Sequence, residues 1–473
     1  MKKSIIKKIV FLLIALAGSV SGYSQTDSLT YYLDIAGKNN PTVLQRYNEY
    51  LASLQKVPQV GSLPDPQLEM GVFLSPMELI SGNQVAEIKL MQMFPWFGVI
   101  RNAKDEMSLM AKAKYETMRD AKLQVYYDVQ RAWFDLYKVN QNILISEKNL
   151  NLLKTIERLT LVKYKSGTAN TGSSSGSKMS GGSSSPTISS GSTGMNTSGS
   201  TSGMSKSSPT QQASSSIGPM GSSSGGTGLS DVYQIQIEMG DLENNIASLK
   251  NEKQIVLSRF NSLLNRPQRT QVKGPDLLSA EPLDSLYLSV LDTLFIRNPM
   301  LVMLQYEQQS LEARRKMQKQ MGYPMVGLGV NYSVINKSDM STSTMNGQDM
   351  IMPMVTLTLP VYRKKYKAMQ IETNLLKTAS AQNYQATANA LQSEYYEALQ
   401  LYNDAQRRMK LYESQSQLAK RTLDILIKTF STSNSSLTEV LRVRQQLFDY
   451  DFKEVEALTD LNRAEAWIKR LRQ

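Results

Sequence analysis

The stretch MVGLGVNYSV, Met325–Val334, alternates strictly. Val326, Leu328, Val330, Tyr332 and Val334 fall on one side of an extended chain, and Met325, Gly327, Gly329, Asn331 and Ser333 on the other. Side chains of a strand point to opposite faces with period two, so this is a strand with one apolar face and one polar or small face. A return strand sets Ile351, Val355, Leu357 and Leu359 against Met352, Met354, Thr356 and Thr358. Nearer the N-terminus, Leu68, Met70, Val72 and Leu74 alternate with Gln67, Glu69, Gly71 and Phe73, and Ala86, Ile88 and Leu90 with Glu87, Lys89 and Met91. Each segment runs about ten residues, the length a tilted strand needs to cross a bilayer. Two readings fit: sheets packed on a soluble core, or strands with lipid outside and water inside. Four strands cannot close on themselves, since about eight is the practical minimum, and open edges are not tolerated in hydrocarbon. A membrane reading therefore requires several chains to build one barrel.

Each hairpin leads into a long helical stretch. From Val99 to Lys165 the chain has no internal Pro or Gly and is rich in Ala, Leu, Lys, Glu and Met, all good helix formers. About 67 residues at 1.5 Å each reach roughly 100 Å, a length that needs coiled partners. Asp27-Ser28-Leu29 recurs as Asp284-Ser285-Leu286, Asn40-Pro41 as Asn298-Pro299, and Phe94-Pro95-Trp96 is echoed by Leu359-Pro360-Val361. Leu229-Ser230-Asp231-Val232 matches Leu437-Thr438-Glu439-Val440. The chain is thus an internal duplication. A first repeat over 25–280 holds a helix, a hairpin near 66–94 and helices near 99–165 and 229–265. A second over 281–473 holds helices near 284–321, 363–430 and 437–472 and a hairpin near 324–360. The helices 229–265 and 284–321 are expected to stack end to end alongside one long helix, with a seam of Leu441, Phe448 and Val455 at spacing seven.

Composition excludes much. Among 473 residues there is no cysteine and no histidine, so disulfides, thiolate sites and imidazole bases or ligands are absent, and no cofactor is expected. No P-loop or nucleophile–base pair is present, so the chain is not expected to be an enzyme. Four of the lysines behind the net charge of +12 lie in the first eight residues, and the rest interleave with acids along helices, so nucleic acid is not expected as a partner. The basic start and the apolar run Ile9–Val20 read as a secretory signal peptide over 1–24. Residues 168–228 are almost entirely Ser, Gly and Thr, an insertion expected to be disordered. Its four methionines, Met179, Met195, Met204 and Met220, leave open a tolerated loop, a partner contact or soft-metal capture.

The doubled plan, the Asn-Pro pairs, the Pro at each strand-to-helix junction and the turn followed by Ser/Thr-Asp/Glu-Val together resemble the TolC family of outer-membrane efflux ducts. The resemblance covers the mature chain apart from the insertion. It implies a mixed α/β membrane protein. Four strands per protomer, twelve per trimer, would form a transmembrane β-barrel continued by a long α-helical coiled-coil tunnel in the periplasm of a Gram-negative bacterium. It further implies a homotrimer in outer-membrane lipid, a periplasmic adaptor, and an inner-membrane pump of the RND type, with the duct conducting drugs, toxic compounds or metal ions passively. The family's tip pattern falls on Tyr164, Gly167 and Asp231 in the first copy and on Phe430, Ser433 and Glu439 in the second, Ser433 departing from glycine.

Carboxylates near a threefold axis form a cation-favouring constriction, and Arg442, one turn after Glu439, is placed to pair with it and hold the tip closed. Helix capping by Ser230 and Thr438, with the acids in the first turn, is the other reading. The runs PDPQ at Pro64–Gln67 and QMFPWFG at Gln92–Gly98 resemble the heavy-metal branch of that family. Met325, Met352 and Met354 are the expected soft-metal path, with flexible packing of a barrel neck as the other reading. From a different class, a secreted soluble coiled-coil scaffold fits the same helices and strands.

Overall fold

The computed structural model describes residues 28–169, 228–275, 277–280, 283, 297–432 and 436–472. The expected leader, residues 170–227 of the insertion, Ser433 and the start of the helix expected over 284–321 lie outside the described residues.

The described elements run α1 (Leu29–Asn39), α2 (Pro41–Gly61), β1 (Gln67–Leu79), β2 (Gly82–Phe94), α3 (Val99–Ala169), α4 (Leu229–Leu263), α5 (Pro299–Gln320), β3 (Met325–Asn336), β4 (Met350–Thr358), α6 (Arg363–Ser431) and α7 (Leu437–Arg472). The helix expected before the first hairpin is two helices. Pro41 has no N–H to give to a helix already running, and Asn40 before it is extended at φ −64°, ψ 125°. Asn40 Oδ1 accepts from Thr42 N at 2.9 Å and caps α2. Asn298 does the same for α5, at φ −62°, ψ 126°, accepting from Met300 N at 3.0 Å.

The four strands form one antiparallel sheet in the order β1-β2-β3-β4. Across it, Met70 pairs with Ile88, Ile88 with Tyr332, and Tyr332 with Ile351. The next row joins Leu68, Leu90, Val330 and Pro353. This apolar face is uncovered: Met70 is 72%, Val72 78% and Val355 75% exposed. Among the described residues the outer edges of β1 and β4 have no strand partner.

Below the sheet, α3 and α6 extend for 71 and 69 residues, about 105 Å each. The half-length helices stack beside them, with partners other than those expected. Instead of 229–265 meeting 284–321, the end of α4 abuts α2, where Asn40 Nδ2 donates to Leu263 O at 2.8 Å. The end of α7 abuts α5, where Asn298 Nδ2 donates to Leu471 O at 3.0 Å. Each copy thus completes its own column, because the Asn-Pro break exposes an amide that satisfies a carbonyl left over at a helix C-terminus.

Around the first splice Tyr32, Trp133 and Phe260 pack in one buried cluster, and around the second Leu301, Tyr395, Tyr402 and Ile468. A third cluster near the far end joins Leu153, Ile156, Ile235, Leu423, Phe430 and Val440. Each large apolar side chain so buried contributes about 1.5–3 kcal/mol. Leu411, Leu418 and Ile425 on α6, at spacing seven, remain exposed, a coiled-coil stripe left uncovered by the described residues.

Candidate functional site: the helical tip and the inner face of the sheet

At the far end of the helices, Tyr164 lies half-buried in the last turns of α3, Gly167 in the same helix, Asp231 in the first turn of α4, and Glu439 in the first turn of α7. Phe430, the penultimate residue of α6, is fully buried against Leu437 and Val440. Lys163, which sequence reasoning missed, joins three of these helices. Its Nζ lies 4.3 Å from the centre of the Phe430 ring and donates to Phe430 O at 3.3 Å. Burial pushes the Asp231 carboxyl above its ordinary pKa, and the charge of Lys163 opposes that shift. The second copy has Thr429 at the corresponding position, so comparing the two repeats does not single this lysine out.

Two expectations about this tip are corrected. Ser230 and Thr438 are not caps: Gly228 holds the cap position of α4, and Glu439 N donates to Ser436 Oγ at 3.3 Å. Leu229 and Leu437 are already helical, which places both hydroxyls two positions past the cap. Nor does Arg442 pair with Glu439; both point outward, and neither forms an ion pair among the described residues.

The ion pair in this region belongs to Arg444, two residues on and facing inward. Arg444 is 5% exposed, with Nη2 donating to Glu238 of α4 and Nη1 to Asn149 Oδ1 of α3 at 3.3 Å. Burial lowers the Arg444 pKa and raises that of Glu238, each opposed by the partner's charge. The pair lines a cavity of about 520 Å³ between α4 and α7.

On the sheet, Met325, Met352 and Met354 all lie opposite the apolar face, in register with Thr358, Asn331 and Gly329. Two further methionines join them. Met91 also pairs with Gly329, and Met93 with Gly327. A Cβ at Gly327 would sit 2.6 Å from Met93 Sδ and 3.6 Å from Met91 Sδ, so the two thioethers converge over a bare backbone. Period two already sets Met91 on this face with Glu87 and Lys89, and one further step reaches Met93. The same face holds the Glu69–Lys89 pair at 3.0 Å and a bond from Gln84 Nε2 to Ser333 Oγ at 3.1 Å. Among the described residues no cluster of acids has the makings of a metal site, and no helix is long and apolar enough to cross a membrane.

A duplicated, four-stranded, open-edged sheet continued by paired helices of about 105 Å defines a class: the fold of outer-membrane channels. A membrane protein from Pseudomonas aeruginosa is similar over 95% of this chain and 93% of its own, with a TM-score of 0.68 at 12% identity. The outer-membrane protein VceC from Vibrio cholerae is similar over 94% of this chain and 95% of its own, with a TM-score of 0.65 at 12% identity. CusC, whose structures follow transmembrane channel formation, is similar over 94% and 91% of the two chains, with a TM-score of 0.65 at 14% identity. No protein-family model matches the chain, and no curated protein sequence matches it. What these structures share with the chain is the fold, and it is the one that the resemblance to the TolC family implies.

Proposed function

We propose that the chain is an outer-membrane efflux duct of the TolC type, working as a homotrimer. The observation that carries this reading is the sheet, apolar and bare on one face, polar on the other, and unpaired at both edges. Hydrocarbon would cover the bare face but forbids the free edges; three copies edge to edge supply twelve strands and leave none. The unpartnered stripe Leu411, Leu418 and Ile425 supports the same assembly in the helical part. The duct lowers no chemical barrier and binds no nucleotide. Cargo reaches the tip from a periplasmic adaptor and an inner-membrane pump of the RND type and leaves through the barrel.

The test is direct. Protein extracted from outer membranes should cross-link as a trimer and conduct ions in a planar bilayer, whereas a monomer stable in water without detergent favours the secreted scaffold. For cargo, the converging thioethers of Met91 and Met93, with Met354 across Gly329, favour soft monovalent cations such as Cu(I) or Ag(I). Silver should then slow potassium current in the wild type and not in a Met91→Leu/Met93→Leu/Met354→Leu variant; equal block removes the reading.

A further inference from the structure

Where the apolar face of the sheet ends, the chain carries a collar of rings and cations. Val355, Leu357 and Leu359 continue the outward apolar series of β4 down to Pro360, and Val361 and Tyr362 follow, both largely exposed. Trp96 stacks on Tyr323 at 5.3 Å between ring centres, with Phe97 exposed beside it. Rings at this level are what a bilayer interface selects. Directly after them comes RKKYK, Arg363–Lys367.

Between the α5–β3 and β4–α6 connections lies an open groove of about 630 Å³, lined among others by Lys319, Tyr323, Leu359, Arg363, Tyr366 and Lys367. Among the described residues, none of Lys319, Arg363, Lys364, Lys365 and Lys367 forms an ion pair. The fold does not require them. The other copy makes the corresponding junction with Pro95-Trp96-Phe97-Gly98 and opens its long helix on Val99-Ile100-Arg101. Three unpaired cations around one groove, at the lower rim of a lipid-facing surface and beside an apolar wall, match an anionic headgroup with its acyl chains against the sheet.

We propose that this groove holds the phosphate of an anionic phospholipid from the periplasmic leaflet, with Lys319, Arg363 and Lys367 as its ligands. The inference rests on the outer-membrane reading, and the experiment separates the two. The full-length protein is reconstituted into vesicles of phosphatidylethanolamine alone and of phosphatidylethanolamine with phosphatidylglycerol. Flotation and conductance are measured, and the lipids retained after detergent extraction are counted by native mass spectrometry.

Wild type should retain phosphatidylglycerol well above its share of the vesicle. The Lys319→Gln/Arg363→Gln/Lys367→Gln variant should lose about tenfold of that enrichment. A variant neutralised elsewhere on the helices, Lys154→Gln/Lys410→Gln/Arg421→Gln, should keep it, as should Lys319→Arg/Arg363→Lys/Lys367→Arg. Enrichment unchanged in the first variant, or lost equally in the second, overturns the lipid site while flotation and conductance leave the duct standing. Failure to float with either vesicle overturns the duct itself, and the lipid site with it.

Discussion

Asn298 Nδ2 donates to the carbonyl of Leu471 at 3.0 Å, a bond between residues 173 apart that splices the end of α7 onto the start of α5. Asn40 and Leu263 make the same bond in the other copy at 2.8 Å. Both asparagines are buried, and each uses its oxygen as a cap and its amide as the splice. Asn298→Ala removes both bonds and is expected to cost about 2 kcal/mol. Asn298→Ser, keeping a cap acceptor, should cost less. Thermal melts of the purified assembly check this, and an unshifted melt for the alanine variant would show that the splice does not hold the column. The Asn40→Ala effect should add to that of Asn298→Ala, since the two lie in separate cores.

Arg444 is a deeply buried charge near the tip, and among the described residues Glu238 is the carboxylate with which it forms an ion pair. Glu238→Ala leaves a buried guanidinium against the neutral side chains of Asn149 and Gln445, an expected loss of about 3 kcal/mol. Arg444→Met with Glu238→Leu should recover most of that loss, because the desolvation cost disappears with the pair. A double-mutant cycle in denaturant measures the coupling, and a null coupling would mean that each side chain is held by its own helix.

Glu312 of α5 accepts from Arg315 Nη2 at 2.6 Å and from Lys377 Nζ of α6 at 2.8 Å. These bonds, that of Arg315 first, hold its pKa at about 2 against an ordinary 4.5. A carboxyl with a depressed folded pKa contributes stability that is complete above its unfolded pKa and lost as pH falls through the folded one. Wild type should therefore melt above Glu312→Gln at neutral pH, and the gap should close between about 4.5 and about 2. A gap that persists at the acid end would place the effect in packing instead of charge.

Lys163 ties α3 to Phe430 and stands beside Asp231. Lys163→Met removes the charge while keeping the stem, so the tip should loosen and the open fraction in single-channel records rise. Asp231→Ala with Glu439→Ala should lower cation preference, read as a smaller reversal potential across a salt gradient. Unchanged selectivity would leave those acids as helix-end charges.

Gly329 sits between Met91 and Met354, and a Cβ there would come within 2.7 Å of Leu90 O. That contact is backbone, so the strands themselves must move. Gly329→Ala should lower the heat resistance of the detergent-solubilised trimer more than Gly240→Ala, where a Cβ meets nothing within 4 Å. Equal melting temperatures would mean that the sheet yields at little cost.

The readings that held came from local rules. The faces of β1 to β4 follow from period two, and the starts of α3 and α6 from Pro95 and Pro360 just upstream. Those that failed needed a third dimension. Ser230 and Thr438 carry the right hydroxyls for caps, but which residue takes the cap depends on where the preceding turn releases the chain. Arg442 has the right spacing from Glu439, yet both side chains are exposed, and only the packing of α4 and α7 on α3 turns Arg444 inward to Asn149 and Glu238. Lys163 was invisible because its partner Phe430 is 267 residues away.

What the amino-acid order alone settled was the inventory: two amphipathic hairpins, two very long helices, their half-length companions, and a duplication relating them. Patterns of period two and 3.6 are written in neighbouring residues, and no partner is needed to read them. The tertiary structure decided which half-helix continues which, which charge is buried, and which methionines converge on one glycine. Those choices depend on contacts between distant segments, and many arrangements of the same helices satisfy the local pattern equally well. Only the surplus amides of Asn40 and Asn298, each set against one unsatisfied carbonyl, single out the one that forms.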